Sequence, residues 1–228
     1  MQVVILAGGE GTRLRPLTHK VPKPMVKVSG KPFLKYQLEL VKSYGLTDVL
    51  ILAAYLGKQI EDYFGNGSDL AMNIKYSYEE TPMGTGGALK NAEDLLDKSF
   101  ILLNGDTLLP IDYNELAEQF RKCNKTGLIV AYNNAEKIAP SNLRITDAGI
   151  VLAYSKETDE EMTHLDAGAT VLKKGVLKSI PAGAICSLEK EIFPKLIESR
   201  EFAAIETVQR FYDMGSFEGL KMIEKVFG

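Results

Sequence analysis

The chain opens on an apolar run, Val3-Val4-Ile5-Leu6-Ala7, with no polar position inside it. A run without alternation suits a strand buried on both faces of a parallel sheet. Similar runs recur from Asp48 to Ala54, Phe100 to Asn104 and Leu128 to Tyr132, and Ile74 to Tyr78 is a further strand. Segments with helical spacing lie between them. Lys31 to Tyr44 has Pro32 near its start and Gly45 after its end, the usual asymmetry of helix punctuation. Leu56 to Phe64 is a shorter helix. Gly86 to Leu96 places Ala88, Leu89, Ala92, Leu95 and Leu96 on one face, and Asp112 to Cys123 is a further helix. This alternation predicts an α/β fold, a three-layer α/β/α sandwich around a mixed, mostly parallel sheet. The second half is less regular. Short strands are expected from Leu143 to Ile145, Ile150 to Tyr154 and Ala167 to Leu172, and helices from Leu188 to Glu198 and Phe217 to Val226.

The first strand runs into Gly8-Gly9-Glu10-Gly11-Thr12-Arg13-Leu14-Arg15-Pro16, and Pro22-Lys23-Pro24-Met25 follows. Glycines at a strand end let backbone N–H groups approach an anion, because no Cβ stands in the way. Arg13 and Lys23 add fixed positive charge, the layout of a nucleoside triphosphate site. Two other phosphate loops are excluded by spelling. No Gly-x-x-x-x-Gly-Lys-Ser/Thr run exists, so this is not a P-loop. The dinucleotide fingerprint needs a third glycine where Leu14 stands, and an acid where the second strand ends in Ala53-Ala54-Tyr55. In a parallel sheet the ligand sits beyond the carboxyl ends of the strands. The glycine loop and Asp106, in Leu103-Asn104-Gly105-Asp106-Thr107, both fall at that edge.

The long stretch from Gly8 to Pro16, then Pro22-Lys23-Pro24-Met25 and Lys31-Pro32, resembles the signature of the sugar-1-phosphate nucleotidyltransferases. The likeness continues to the C-terminus. It implies a Rossmann-like nucleotidyltransferase fold in one domain over 1–228, with a nucleotide-binding half at about 1–135 and a sugar-side lobe at about 136–228. It implies attack by a sugar 1-phosphate on the α-phosphorus of a nucleoside triphosphate, with Mg2+ as cofactor. Leu6, Ala7, Gly8, Gly9, Gly11, Thr12 and Arg13 then line the nucleotide, with Gly84 and Thr85 from the third helix. Arg13, Lys23 and Asp106 are the implied catalytic residues. Arg13 serves the leaving pyrophosphate and Lys23 the α-phosphate and attacking phosphate. Asp106 holds the metal, joined by Asp213 of Tyr212-Asp213-Met214-Gly215-Ser216. Ser216 is able to cap the last helix itself, leaving Asp213 for the metal.

The resemblance also implies a base-reading residue five places before Gly84, which is Glu79. An ionised carboxylate only accepts hydrogen bonds. Guanine offers it two adjacent donors, whereas uracil and thymine are better matched by Gln. On the sugar side, Lys156 stands where the family has Glu-Lys-Pro, here with Ser155 and Glu157 beside it. Asp166-Ala167-Gly168 stands for the family's Asn-Ala-Gly. Asp166 could accept from a sugar hydroxyl or be a turn residue. Short members with this Gly-Thr-Gly-Gly segment point to GTP and a manno-configured heptose or mannose 1-phosphate. Uridylyl-, thymidylyl- or cytidylyltransferase, a non-catalytic nucleotide-sugar sensor and a glycosyltransferase are the competing readings. A sensor would be expected to lose Lys23 or Asp106. A glycosyltransferase would usually show Asp-x-Asp, where Asp106-Thr107-Leu108 has one acid.

Composition narrows the picture further. With 45% hydrophobic residues among 228, the chain has enough for a sizeable core, and a net charge of −3 argues against broad nucleic-acid binding. No apolar run reaches the roughly 18 residues a membrane span needs, and the N-terminus lacks a basic region of signal-peptide type. A cytoplasmic enzyme is expected, with its oligomeric state, homo-oligomer included, left open. Cys123 and Cys186 fit no metal spacing and are read as reduced thiols. Arg15, Lys20 and Lys27 are read as surface cations, and His19 and His164 as surface or loop residues.

Overall fold

The computed structural model describes residues 1–155 and 161–227. Its strands are β1 (Gln2–Ala7), β2 (Lys27–Val28), β3 (Lys31–Pro32), β4 (Asp48–Ala53), β5 (Asn73–Tyr78), β6 (Ser99–Asn104), β7 (Thr107–Leu108), β8 (Gly127–Asn133), β9 (Leu143–Ile145), β10 (Val151–Tyr154), β11 (His164–Lys173), β12 (Phe202–Thr207) and β13 (Tyr212–Asp213). Its helices are α1 (Phe33–Ser43), α2 (Lys58–Phe64), α3 (Gly84–Asn91), α4 (Tyr113–Cys123), α5 (Phe193–Glu198) and α6 (Phe217–Phe227).

One nine-stranded sheet organises the molecule. β5, β4, β1 and β6 lie side by side in parallel. β11 is antiparallel to both β6 and β8, and β12 runs parallel to β8. The β9–β10 hairpin joins at the start of β11 through the His164–Leu143 pair. The chain winds from β1 through β4 to β5, then returns to place β6 on the other side of β1. That reversal opens a crevice between β1 and β6 at their carboxyl ends.

Strand alternation feeds two cores. Val3, Ile5 and Ala7 of β1 face α1, α2 and α4 through Leu34, Leu38, Ile60, Tyr113 and Leu116. Val4 faces the other way, onto α3 and α5 through Ala88, Leu89, Phe193 and Leu196. The helices thus cover both faces, as the alternating pattern predicts. A third, smaller core beneath the glycine loop joins Leu14, Val28, Phe33, Leu108, Met214, Leu220 and Ile223.

Several boundaries differ from the sequence reading. Asp112 is the N-cap of α4, accepting from the N–H groups of Asn114 and Glu115, and Asn124 closes that helix at φ +50°. α3 starts earlier than expected, at Gly84, whose φ is +73°, and ends at Asn91. Leu95 consequently sits in a separate 3-10 turn and is 40% exposed, not in the core face. The single helix expected from Leu188 to Glu198 is a π turn, Leu188–Ile192, leading into α5. Pro194 explains the break, because it lacks an N–H and its ring crowds the carbonyl four residues earlier. β12 and the two-residue strands have no counterpart in the sequence reading.

His164 is a correction of position. It is a buried residue of β11, with Nε2 2.7 Å from Glu206 Oε2 and Nδ1 2.8 Å from Thr163 Oγ1. Its acidic partner comes from β12, the strand the sequence reading lacked. Among the described residues no helix is long and apolar enough to cross a membrane.

Candidate active site

The carboxyl ends of β1 and β6 border a cavity of about 350 Å³. Leu6, Ala7, Gly8 and Gly9 form one wall, Glu79, Gly84 and Thr85 another, and Lys23 and Asp106 stand at its polar end. Space is tight for a side chain at Gly8 and absent at Gly105, where the walls meet. A Cβ on Gly8 would lie 3.1 Å from Ala54 Cβ and 3.3 Å from Glu79 Oε1. A Cβ on Gly105 would lie 2.3 Å from the Leu6 carbonyl oxygen, which accepts the Gly105 N–H at 3.0 Å.

Gly11 shapes the loop without lining the cavity. It adopts φ +62°, and a Cβ there would press on the stem of Lys23 and on Thr18 at 3.0 Å. The Thr18 hydroxyl donates to the Gly11 carbonyl, and Thr12 and Arg13 are exposed residues of a 3-10 turn whose third residue, Leu14, is buried. Arg15 is exposed and bonds Glu10 across the same loop.

Lys23 is buried, and its ammonium donates to Asp106 Oδ2. Asp106 Oδ1 accepts from the Thr107 hydroxyl at 3.1 Å. Asp213 reaches the same place because β13 pairs with β7, setting Asp213 opposite Thr107, and the Met214 N–H donates to the Asp106 carbonyl. Arg13 stands alongside: a Cβ on Gly215 would meet both the Arg13 guanidinium and the Asp213 carboxylate within 2.9 Å. Packing explains the convergence. Leu14, Leu108 and Met214 share the third core, and each follows a site residue closely in sequence.

The electrostatics fit a cation. Partial burial, then the charge of Asp106, raises the Asp213 carboxyl above its usual range against the pull of Lys23, the Gly215 N–H and Arg13. Two carboxylates held together at a half-open edge are hard oxygen donors of the kind magnesium takes. Among the described residues no group of three or more His, Cys, Asp or Glu converges on one point. Phosphate oxygens and water would therefore complete the shell. Ser216 caps α6 through the Gly219 N–H at 3.1 Å, as the sequence reading expected.

Glu79 is half-buried. Its Oε2 accepts the Met83 N–H at 2.7 Å and its Oε1 faces Gly8. Burial raises its pKa, the Met83 N–H opposing. The α3 start is less open to a ligand than its spelling suggests. The N–H groups of Gly86 and Gly87 donate to the Cys186 carbonyl, and the Thr85 hydroxyl donates to Glu189 while accepting the Leu188 N–H.

On the sugar side, Asp166 is a bulge residue. Its Oδ1 accepts the Gly168 N–H at 2.8 Å and its Oδ2 the Tyr154 hydroxyl at 3.0 Å, where the β11–β8 register shifts. Gly168, at φ +81°, lies against the Thr107 side chain, so this bulge abuts the Asp106 turn. Lys156 lies outside the described residues. The sequence reading did not single out Tyr154, Glu189 or Gln37. Burial, then the charges of Asp166 and Glu189, push the Tyr154 hydroxyl well above the usual phenol range. These residues come from three separate elements, and only the Gly-Thr-Gly-Gly spelling hinted that something packs on α3.

A doubly wound sheet with a glycine loop, two cations and two carboxylates gathered at its switch point is an arrangement suited to phosphate groups. The chain belongs to the nucleotidyl transferase family, which it matches over residues 2–223. It is 33% identical over 222 residues to the mannose-1-phosphate guanylyltransferase of Mycobacterium tuberculosis, covering 96% of this chain and 62% of that protein. It is 29% identical to the UTP–glucose-1-phosphate uridylyltransferase of Synechocystis sp., over 94% of this chain and 60% of that one. The chain thus spans about three fifths of those relatives. Against the D-glycero-alpha-D-manno-heptose 1-phosphate guanylyltransferase of Aneurinibacillus thermoaerophilus, identity is 28% over 99% of this chain and 97% of that one. The crystal structure of HddC from Yersinia pseudotuberculosis matches with a TM-score of 0.86 at 28% identity, over 100% of this chain and 99% of that one. HddC has also been solved complexed with GMP-PN.

Proposed function

We propose that the protein transfers a guanylyl group from GTP to a manno-configured sugar 1-phosphate, D-glycero-α-D-manno-heptose 1-phosphate first and mannose 1-phosphate second. The observation that carries this is the meeting of Arg13, Lys23, Asp106 and Asp213 beside a cavity that also holds Glu79. The reacting sugar-phosphate oxygen forms a bond to the α-phosphorus, and the bond from that phosphorus to the bridging oxygen breaks, releasing pyrophosphate. Both reactants are anions, so positioning and charge supply most of the rate. Lys23 brings the α-phosphate and the incoming phosphate together. Arg13 takes the leaving pyrophosphate with its permanently charged fork. Asp106 and Asp213 would hold magnesium, which when bound neutralises phosphate charge. Glu79 accepts from guanine, and Lys156 and the Asp166–Gly168 bulge serve the sugar phosphate.

The guanylyltransferase names of two relatives and the GMP-PN complex of HddC support the choice of base. The test is a matrix of GTP, UTP, dTTP, CTP and ATP against several sugar 1-phosphates, with pyrophosphate as readout. GTP with a manno-configured sugar 1-phosphate is expected to give the fastest release. A UTP or dTTP optimum would move the protein to another base class. No release from any pair would favour a nucleotide-sugar sensor.

A further inference from the structure

We infer that Gln37 is a positioning residue for the reaction, fixing the turn that presents Asp106. The inference rests on the proposed role of Asp106 as a metal-holding carboxylate. Gln37 lies in the middle of α1 and is 2% exposed. Its Nε2 donates to the Asn104 carbonyl at 2.8 Å and to the Thr107 carbonyl at 2.6 Å. These two carbonyls flank Asp106 on either side. Both partners are acceptors, so the amide has one orientation: a flipped group would set oxygen against two oxygens.

The remaining oxygen, Oε1, is buried without a partner. An orphaned buried acceptor is uncommon in folded proteins. Gln37 accepts that cost while both its donors go to one turn. Elsewhere in the turn the backbone is tied by Gly105 N–H to the Leu6 carbonyl and Met214 N–H to the Asp106 carbonyl, while Lys23 and the Thr107 hydroxyl bond the Asp106 carboxylate and not its peptide. Gln37 is therefore the side chain that couples α1 to the Asp106 peptide from beneath. Asparagine is one methylene too short for the span. Glutamate reverses the hydrogen-bond sense, and methionine keeps the volume without the donors.

The test uses Gln37→Met and Gln37→Glu in the full chain, with Asp106→Asn as control. Mn2+ binding in the presence of a non-hydrolysable GTP analogue is followed by electron paramagnetic resonance, beside the Mg2+ dependence of pyrophosphate release. Both Gln37 variants are expected to bind Mn2+ at least tenfold more weakly. Their half-saturating Mg2+ should rise in parallel, excess Mg2+ should restore most of the turnover, and metal-free affinity for the analogue should stay within threefold. A loss of turnover with unchanged Mn2+ affinity overturns the proposal, as does unchanged behaviour throughout or Asp106→Asn binding Mn2+ normally. A second measurement needs no variant. The Gln37 side-chain amide protons of the unaltered protein should exchange slowly, and in the analogue complex their signals should broaden when Mg2+ is replaced by Mn2+. Rapid exchange overturns the proposal even if the variants fail to fold. Should pyrophosphate release be absent from every substrate pair, the functional reading fails on that ground, while Mn2+ binding still decides the role of Gln37.

Discussion

The ammonium of Lys23 donates to the carboxylate of Asp106 across 83 residues of sequence. One partner follows β1 and the other follows β6, the two strands between which the chain reverses direction. The pair therefore marks the crevice itself. An ammonium has three donors and a carboxylate about four acceptor sites, so each can also engage a phosphate or a cation. On the proposed reading, Lys23→Ala lowers turnover on the order of 10²-fold, by analogy with loss of one transition-state donor. Asp106→Asn abolishes turnover with the melting temperature held to about 2–4 °C, the shift expected for roughly 1 kcal/mol in a chain of this size. Steady-state kinetics and calorimetry check both. Near-normal turnover in either variant removes that residue from the chemistry.

Met214 is fully buried between the glycine loop and α6, with Leu14 and Leu108. Truncation to alanine should cost about 2–5 kcal/mol, the usual range for a buried methionine. It should also loosen Asp213 against Arg13, so the Km for GTP rises along with the loss of stability. Denaturant titration and kinetics on Met214→Ala test this. A destabilised variant with wild-type Km would mean the small core supports the fold alone.

Gly105 has no room for a side chain, since a Cβ would stand 2.3 Å from the Leu6 carbonyl. Gly105→Ala must separate the ends of β1 and β6. A cost of about 1–3 kcal/mol is expected for such overpacking, with turnover falling further than at a remote site of equal destabilisation. Unaltered melting and turnover would contradict the tight closure of the crevice.

Glu79 gives the pH dependence. Its carboxyl titrates above the usual 4.5 because of burial, the Met83 N–H pulling the other way. Guanine's donors need the ionised form. Acidification should therefore weaken GTP binding from a pH above 4.5 downward, and Glu79→Gln should lose that dependence while gaining relative activity with UTP or dTTP. Km for each nucleotide measured against pH is the check. A preference unchanged in Glu79→Gln would take this residue out of base reading.

The parts of the site that were legible in the sequence are those carried on contiguous stretches. The glycine loop, the apolar β1 before it and the short step from β6 to Asp106 are local, and the structure brings them to one sheet edge. Asp213 was readable only through its spelling, because the β7–β13 pairing that brings it home is two residues long. Nothing local marks Gln37, whose role comes from carbonyls 67 and 70 residues away. His164 was misplaced for the same reason: its acid lies on β12, whose Phe-Ala-Ala-Ile-Glu-Thr pattern is too mixed to stand out. Pro194 is a local signal against one continuous helix from Leu188.

Pyrophosphate release from GTP and a manno-configured sugar 1-phosphate, assayed with Mg2+ and with each component omitted in turn, tests the central claim most directly. The account predicts stoichiometric formation of pyrophosphate and GDP-sugar only in the complete mixture, lost in Asp106→Asn. Release of nucleoside diphosphate in place of pyrophosphate, or equal release by Asp106→Asn, would contradict it.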